Sequence, residues 1–135
     1  MEKKIILSTL AGTVTYFLIG GLVFGLLLAN MMAEWTKALG DCAVTGQPYA
    51  QIILANLVMA LLLSIVLNKF GVNTFKGGLM TSAWIVFLIA IWFDIWMFAT
   101  LKAMTVNIML IDVIANTAVG ALSGGVIGWV LGKVK

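Results

Sequence analysis

The sequence predicts an all-α membrane protein: one transmembrane domain, residues 1–135, folded as an up-down bundle of four helices with both ends on the cytoplasmic side. Three observations predict it. The chain is 63% hydrophobic and only 10% charged, with a mean hydropathy of +1.16, whereas soluble domains carry about 25% charged residues. Its apolar residues gather into four runs, each reaching or approaching the roughly 20 residues that cross about 30 Å of hydrocarbon as a helix. Its lysines stand singly or in pairs at the ends of those runs.

The expected helices cover about 5–32, 50–70, 77–99 and 107–132. None of these runs alternates apolar and polar residues, as barrel strands do over segments of about 10 residues. The first is longer than the roughly 7–15 apolar residues of a signal-peptide core, so it is expected to be a retained helix. The longest connection is punctuated by Gly40-Asp41-Cys42 and Gly46-Gln47-Pro48, and Pro48 stands just ahead of the second helix, where a missing N–H costs little. Short turns at Asn68–Lys76 and Thr100–Val106 make neighbouring helices antiparallel.

Orientation follows from lysine placement. With a cytoplasmic N-terminus, Lys3, Lys4, Lys69, Lys76, Lys133 and Lys135 lie inside and only Lys37 and Lys102 outside, a positive-inside bias. Trp35, Tyr49 and Trp96 then belong to the outer aromatic belt and Trp129 to the inner one. A net charge of +3 made up entirely of lysines at helix ends is no nucleic-acid footprint. The lone cysteine, Cys42, excludes an internal disulfide. The absence of histidine removes imidazole haem ligation, most zinc and copper sites and the commonest general base. Nothing in the sequence calls for a cofactor.

The strongest local pattern is a row of glycines in the last run. Gly120, Gly124, Gly128 and Gly132 recur every four residues, and the first run carries Gly21 and Gly25 at the same spacing. Such rows let helix backbones approach closely, and in lipid that close packing drives association. Two uses are open. The rows can pack the first helix against the fourth within one chain, or they can form a seam for a second copy or another membrane protein.

Polar side chains within the runs share a depth. Asp94, Asp112 and Asn56 fall roughly 7–10 Å below the outer boundary at 1.5 Å per residue, with Asn116 one turn deeper and Asn30 near the outer end of the first run. Trp92 and Trp96 each lie about 200° around the helix from Asp94; if they meet lipid, Asp94 faces the bundle. Three readings follow. The cluster can be a structural hydrogen-bond network, with Lys102 as a possible ionic partner. It can be a proton or cation site, since partnerless acids in a membrane mark such paths. It can be an acid–base pair for catalysis, though no nucleophile, metal set or phosphate loop accompanies it. The eight methionines are expected to be flexible core packing, with Met31-Met32 the only adjacent pair. The aromatics of the third run are expected to be lipid anchors.

In Gly20-Gly21-Leu22-Val23-Phe24-Gly25, followed by Trp35, and in Leu110-Ile111-Asp112 leading into Gly120–Gly128, the chain resembles the small bacterial four-transmembrane proteins grouped as domain-of-unknown-function family 1761. The likeness covers most of the chain. It departs where the family carries an aromatic pair after the first-helix glycine, since this chain has Val23-Phe24. The resemblance implies a bacterial inner-membrane location, this topology and no assigned activity. Better-known four-helix families fit worse. Small multidrug exporters depend on a first-helix glutamate, absent between Ile5 and Met32, while fluoride channels and membrane glutathione-type enzymes use arginine, which this chain lacks. The expected function is non-enzymatic: a membrane protein in the lipid bilayer that assembles through glycine-lined helices as a homo-oligomer or within a larger membrane complex. The alternative is a small proton- or cation-coupled transporter or channel using Asp94 and Asp112.

Overall fold

The computed structural model describes residues 2–135, and among them the fold is helical throughout. Helix α1 (Glu2–Leu22) runs into a π-helical turn (Val23–Leu27), followed by α2 (Ala29–Leu39), a 3-10 turn at Gly40–Cys42, α3 (Tyr49–Lys69), α4 (Phe75–Thr100) and α5 (Val106–Lys133). Four stretches are long and apolar enough to span a membrane: Lys3–Leu27, Tyr49–Lys69, Phe75–Thr100 and Val106–Lys133. This is a multi-pass helical membrane protein.

The expected boundaries shift for identifiable reasons. The first run is not one helix over 5–32. Gly20, Gly21 and Gly25 weaken helical preference there, and the chain widens so that Leu28 N–H donates to Val23 O at 2.8 Å, a five-residue span. Leu28 leaves helical geometry (φ −107°, ψ 21°) and α2 starts afresh. Short π segments of this kind occur frequently at functional sites. Helix α4 begins at Phe75, two residues before the expected 77, because Thr74 Oγ1 caps it by accepting from Gly77 N–H at 3.0 Å. Thr105 caps α5 in the same way, through Ile108 N–H at 3.2 Å. Helix α3 stops at Lys69 in a Schellman turn. Val72 N–H reaches Leu67 O, Gly71 N–H reaches Asn68 O, and Gly71 takes the positive φ of 68° that the motif requires.

The four spans alternate in direction but do not form a symmetric square. Helix α5 is central. It meets α4 along its length on one side and α1 and α3 on the other, whereas α3 and α4, though consecutive, hardly touch. Antiparallel packing of α1 on α5 shows in Gly12 beside Ile127 and Gly20 beside Val119. The apolar core between α1, α3 and α5 holds Tyr16, Ala60, Leu63, Leu67, Val119, Ile127 and Leu131. Outward faces carry Leu18, Val58, Leu88 and Ile114 in the open, as lipid contact requires. Thr13, Thr15, Thr117 and Ser123 each donate to the carbonyl four residues back, whereas the buried hydroxyls of Thr9, Tyr16, Ser64 and Ser82 have no partner.

The glycine row of α5 packs against α4, not against α1. An added Cβ at Gly120 would lie 2.5 Å from Val86 Cγ2, one at Gly124 would strike Ser82 Oγ and approach Gly78 O to 2.9 Å, and one at Gly128 would come within 3.0 Å of Gly78 Cα. At Gly132 the obstacle is the backbone oxygen of Asn73. The facing residues keep a constant antiparallel register: Gly78 with Gly128, Ser82 with Gly124, Val86 with Gly120. Gly21 and Gly25 do not take part, since a Cβ at either meets nothing within 4 Å. The glycine of α1 that does allow close approach is Gly12, where a Cβ would fall 2.6 Å from Ile127 Cδ1 and 3.1 Å from Ala60. Gly12 shares an i, i+4 row with buried Ser8 and Tyr16, so the packing face of α1 is one row away from the expected one.

A buried carboxyl pair as candidate functional site

The register of α4 against α5 decides what happens at the other end of the hairpin. Extended by two further steps of four residues beyond Val86 and Gly120, it pairs Ala90 with Asn116 and Asp94 with Asp112. The two carboxyl groups are indeed neighbours, since both line one chamber. The glycine row and the acid pair are therefore one continuous feature. Close backbone approach along α5 brings Asp112 against Asp94.

Asp94 is 2% exposed, while Trp92 and Trp96 on the same helix are 63% and 59% exposed. The tryptophans meet the lipid side and Asp94 turns inward, as their angular offset predicts. Its Oδ2 is buried with no hydrogen-bond partner. Asp112 is better supported: Asn116 Nδ2 donates to Asp112 Oδ2 at 2.8 Å and to the Asp112 carbonyl at 3.0 Å.

The chamber has a volume of about 180 Å³. Phe93, Asp94 and Met97 line it from α4, Met104 from the connecting turn, and Ile108 and Asp112 from α5. Met31, Met32 and Trp35 close it from α2. Helix α2 reaches this position because the π turn and Leu28 redirect the chain; a straight continuation of α1 would carry these side chains elsewhere. Leu28, Met31, Trp35 and Leu39 form the half-buried stripe of α2, and Glu34 and Lys37 lie on its exposed side.

The chamber differs from the expected polar cluster in three ways. Asn30 is exposed on the first turn of α2 and Asn56 is half-buried on α3, in the row of Ala60 and Ser64; neither lines the chamber. Lys102 is exposed and contributes no wall, so no basic side chain lines the chamber with the two acids. Trp35, expected in the outer belt, covers the site instead. Sequence reasoning missed the methionines: Met31, Met32, Met97 and Met104 are far apart in the chain and converge only through the break at Leu28 and the α4–α5 hairpin. Among the described residues no group of three or more histidine, cysteine, aspartate or glutamate side chains is placed to hold a metal ion.

Comparison with known protein families, with curated proteins and with solved structures finds no match to this chain. The resemblance to family 1761 therefore rests on its quoted residues alone, and function has to be argued from the chamber.

Proposed function

We propose that this protein is a small proton- or cation-coupled membrane transporter or channel in which Asp94 and Asp112 form the binding site. One observation carries the reading: a carboxyl group 2% exposed, with an unpartnered oxygen, stands beside a second carboxyl in a chamber with no basic wall. A carboxylate within a span costs about 2.5–3.5 kcal/mol on insertion scales. The hydrogen bonds made to Asp112 within α5 leave Asp94 uncompensated. A proton shared by the pair, or a cation held between them, supplies the missing partner.

The chamber lies at the end of the bundle away from both termini, beside the α4–α5 turn. With the lysine bias placing the termini in the cytoplasm, it opens toward the outer face of a bacterial inner membrane. The role is non-enzymatic; binding and release at the acid pair need no covalent step. Reconstitution in liposomes with an internal pH dye tests it. An imposed cation or proton gradient should drive flux in the native protein and none in Asp94→Asn that remains folded. Equal flux in both refutes the reading.

Self-assembly is a second reading, favoured by Gly21 and Gly25. Gly21 is exposed near the end of α1 and Gly25 in the π turn, each with nothing within 4 Å of an added Cβ, a shallow groove of the kind another helix can enter. The glycines of α5 are already taken up by α4. A Gly21→Leu variant that changes the crosslinked species in a bilayer supports assembly through this face; an unchanged pattern removes it.

A further inference from the structure

We propose that the chamber binds a small organic monocation of the quaternary-ammonium type, with Asp94 and Asp112 as counter-charge and Trp35 and Phe93 as aromatic wall. The inference rests on the carboxyl-site reading above and adds the chemical class of its occupant.

Size comes first. About 180 Å³ slightly exceeds the roughly 150 Å³ cavity that holds benzene, so a guest of about six or seven heavy atoms fits. A bare metal ion does not fill such a space. Hard cations are further disfavoured by the donor set. Calcium takes about 6–8 oxygen ligands, whereas two carboxyls offer four oxygens at most, and one of these already accepts from Asn116. The other walls provide thioethers and rings in place of oxygens.

Wall chemistry then selects among organic guests. An apolar cation needs a negative group for its charge and a polarisable surface for its methyl groups. Aromatic faces attract such cations, quaternary ammonium ligands above all, and methionine side chains adapt to irregular guests. Met31, Met32, Met97 and Met104 line the chamber together with the acids and the rings. A neutral guest of the same shape leaves the acid pair without a counter-charge and loses that attraction.

The test uses the full chain in lipid nanodiscs, with binding of labelled choline followed by equilibrium dialysis. Choline should bind saturably, at one site per chain, and 3,3-dimethyl-1-butanol, its uncharged carbon isostere, should compete at least tenfold more weakly. Asp94→Asn and Trp35→Leu should each weaken choline binding by tenfold or more. The isostere comparison needs no variant, so it stands even if a substitution fails to fold. Equal competition by the neutral isostere overturns the proposal. So does absence of saturable choline binding, or a single silver ion bound tightly through the methionines where choline is not. Asp94-dependent proton flux without choline binding would sink the ligand class and leave the carboxyl site standing. Choline binding without any flux would do the reverse to transport.

Discussion

The α4–α5 seam gives the sharpest quantitative prediction, and the variants that probe it are Gly124→Ala and Gly21→Ala. Both replace a helical glycine with alanine, and both gain the same intrinsic helix preference of about 0.8–1.0 kcal/mol. They differ in what the new methyl group meets. At Gly21 nothing lies within 4 Å, whereas at Gly124 the methyl strikes Ser82 and stands 2.9 Å from Gly78 O. The serine hydroxyl can rotate away, but Ser82 Cβ and the backbone oxygen of Gly78 cannot, so the two helices must separate. Overpacking of this kind costs about 1–3 kcal/mol, and an immovable backbone neighbour puts the cost in the upper half of that range. Subtracting one variant from the other cancels the helix-preference term and leaves about 2–3 kcal/mol, or roughly 30- to 150-fold in the unfolding equilibrium. Reversible unfolding in mixed detergent micelles, followed by far-UV circular dichroism, measures the difference. Gly124→Ala as stable as Gly21→Ala would refute close approach of α4 and α5 at this position.

Further outcomes follow from the same geometry. Asp94→Asn should leave stability unchanged or raise it by up to about 1–3 kcal/mol, because an amide can donate toward Asp112 where the buried carboxyl oxygen has no partner; a clear loss in the same unfolding assay would mean that Asp94 is a structural tie. Thr105→Ala should cost about 1 kcal/mol by removing the cap of α5, and unchanged stability would contradict the cap. In a Cys42→Ser background, Ala90→Cys combined with Asn116→Cys should crosslink readily in the bilayer, while Ala90→Cys with Thr117→Cys should not. A reversed preference would place the hairpin in another register.

Much of the fold is written in the sequence because lipid simplifies the problem. A span in hydrocarbon must satisfy its own backbone hydrogen bonds, so four apolar runs become four helices. The inward turn of Asp94 follows from its angle to Trp92 and Trp96 alone. Other features depend on relations between runs. Nothing in the spacing of Gly120 to Gly132 says which helix fills the groove, and the complementary row Gly78, Ser82, Val86 is inconspicuous because two of its three residues are not glycine. Gly21 and Gly25 share the spacing of a packing motif but lie a row away from the face that Gly12 and Tyr16 define. The break at Leu28 was masked by unbroken hydrophobicity through Met32, although clustered glycines are a physical signal of a weak helix. That break also decides the chamber: without it, Met31, Met32 and Trp35 read as the end of a span and an interfacial anchor, and the convergence of four methionines cannot be foreseen.

Chemical labelling with a hydrophobic carbodiimide reaches the shared-proton claim most directly, since this reagent modifies a carboxyl group that holds a proton in an apolar setting. In bilayers the label should fall on one carboxyl per chain, at Asp94 or Asp112, and choline should protect it. Labelling confined to Glu34 and Asp41, or equal labelling of both chamber acids in the same chain, would contradict a proton shared between Asp94 and Asp112.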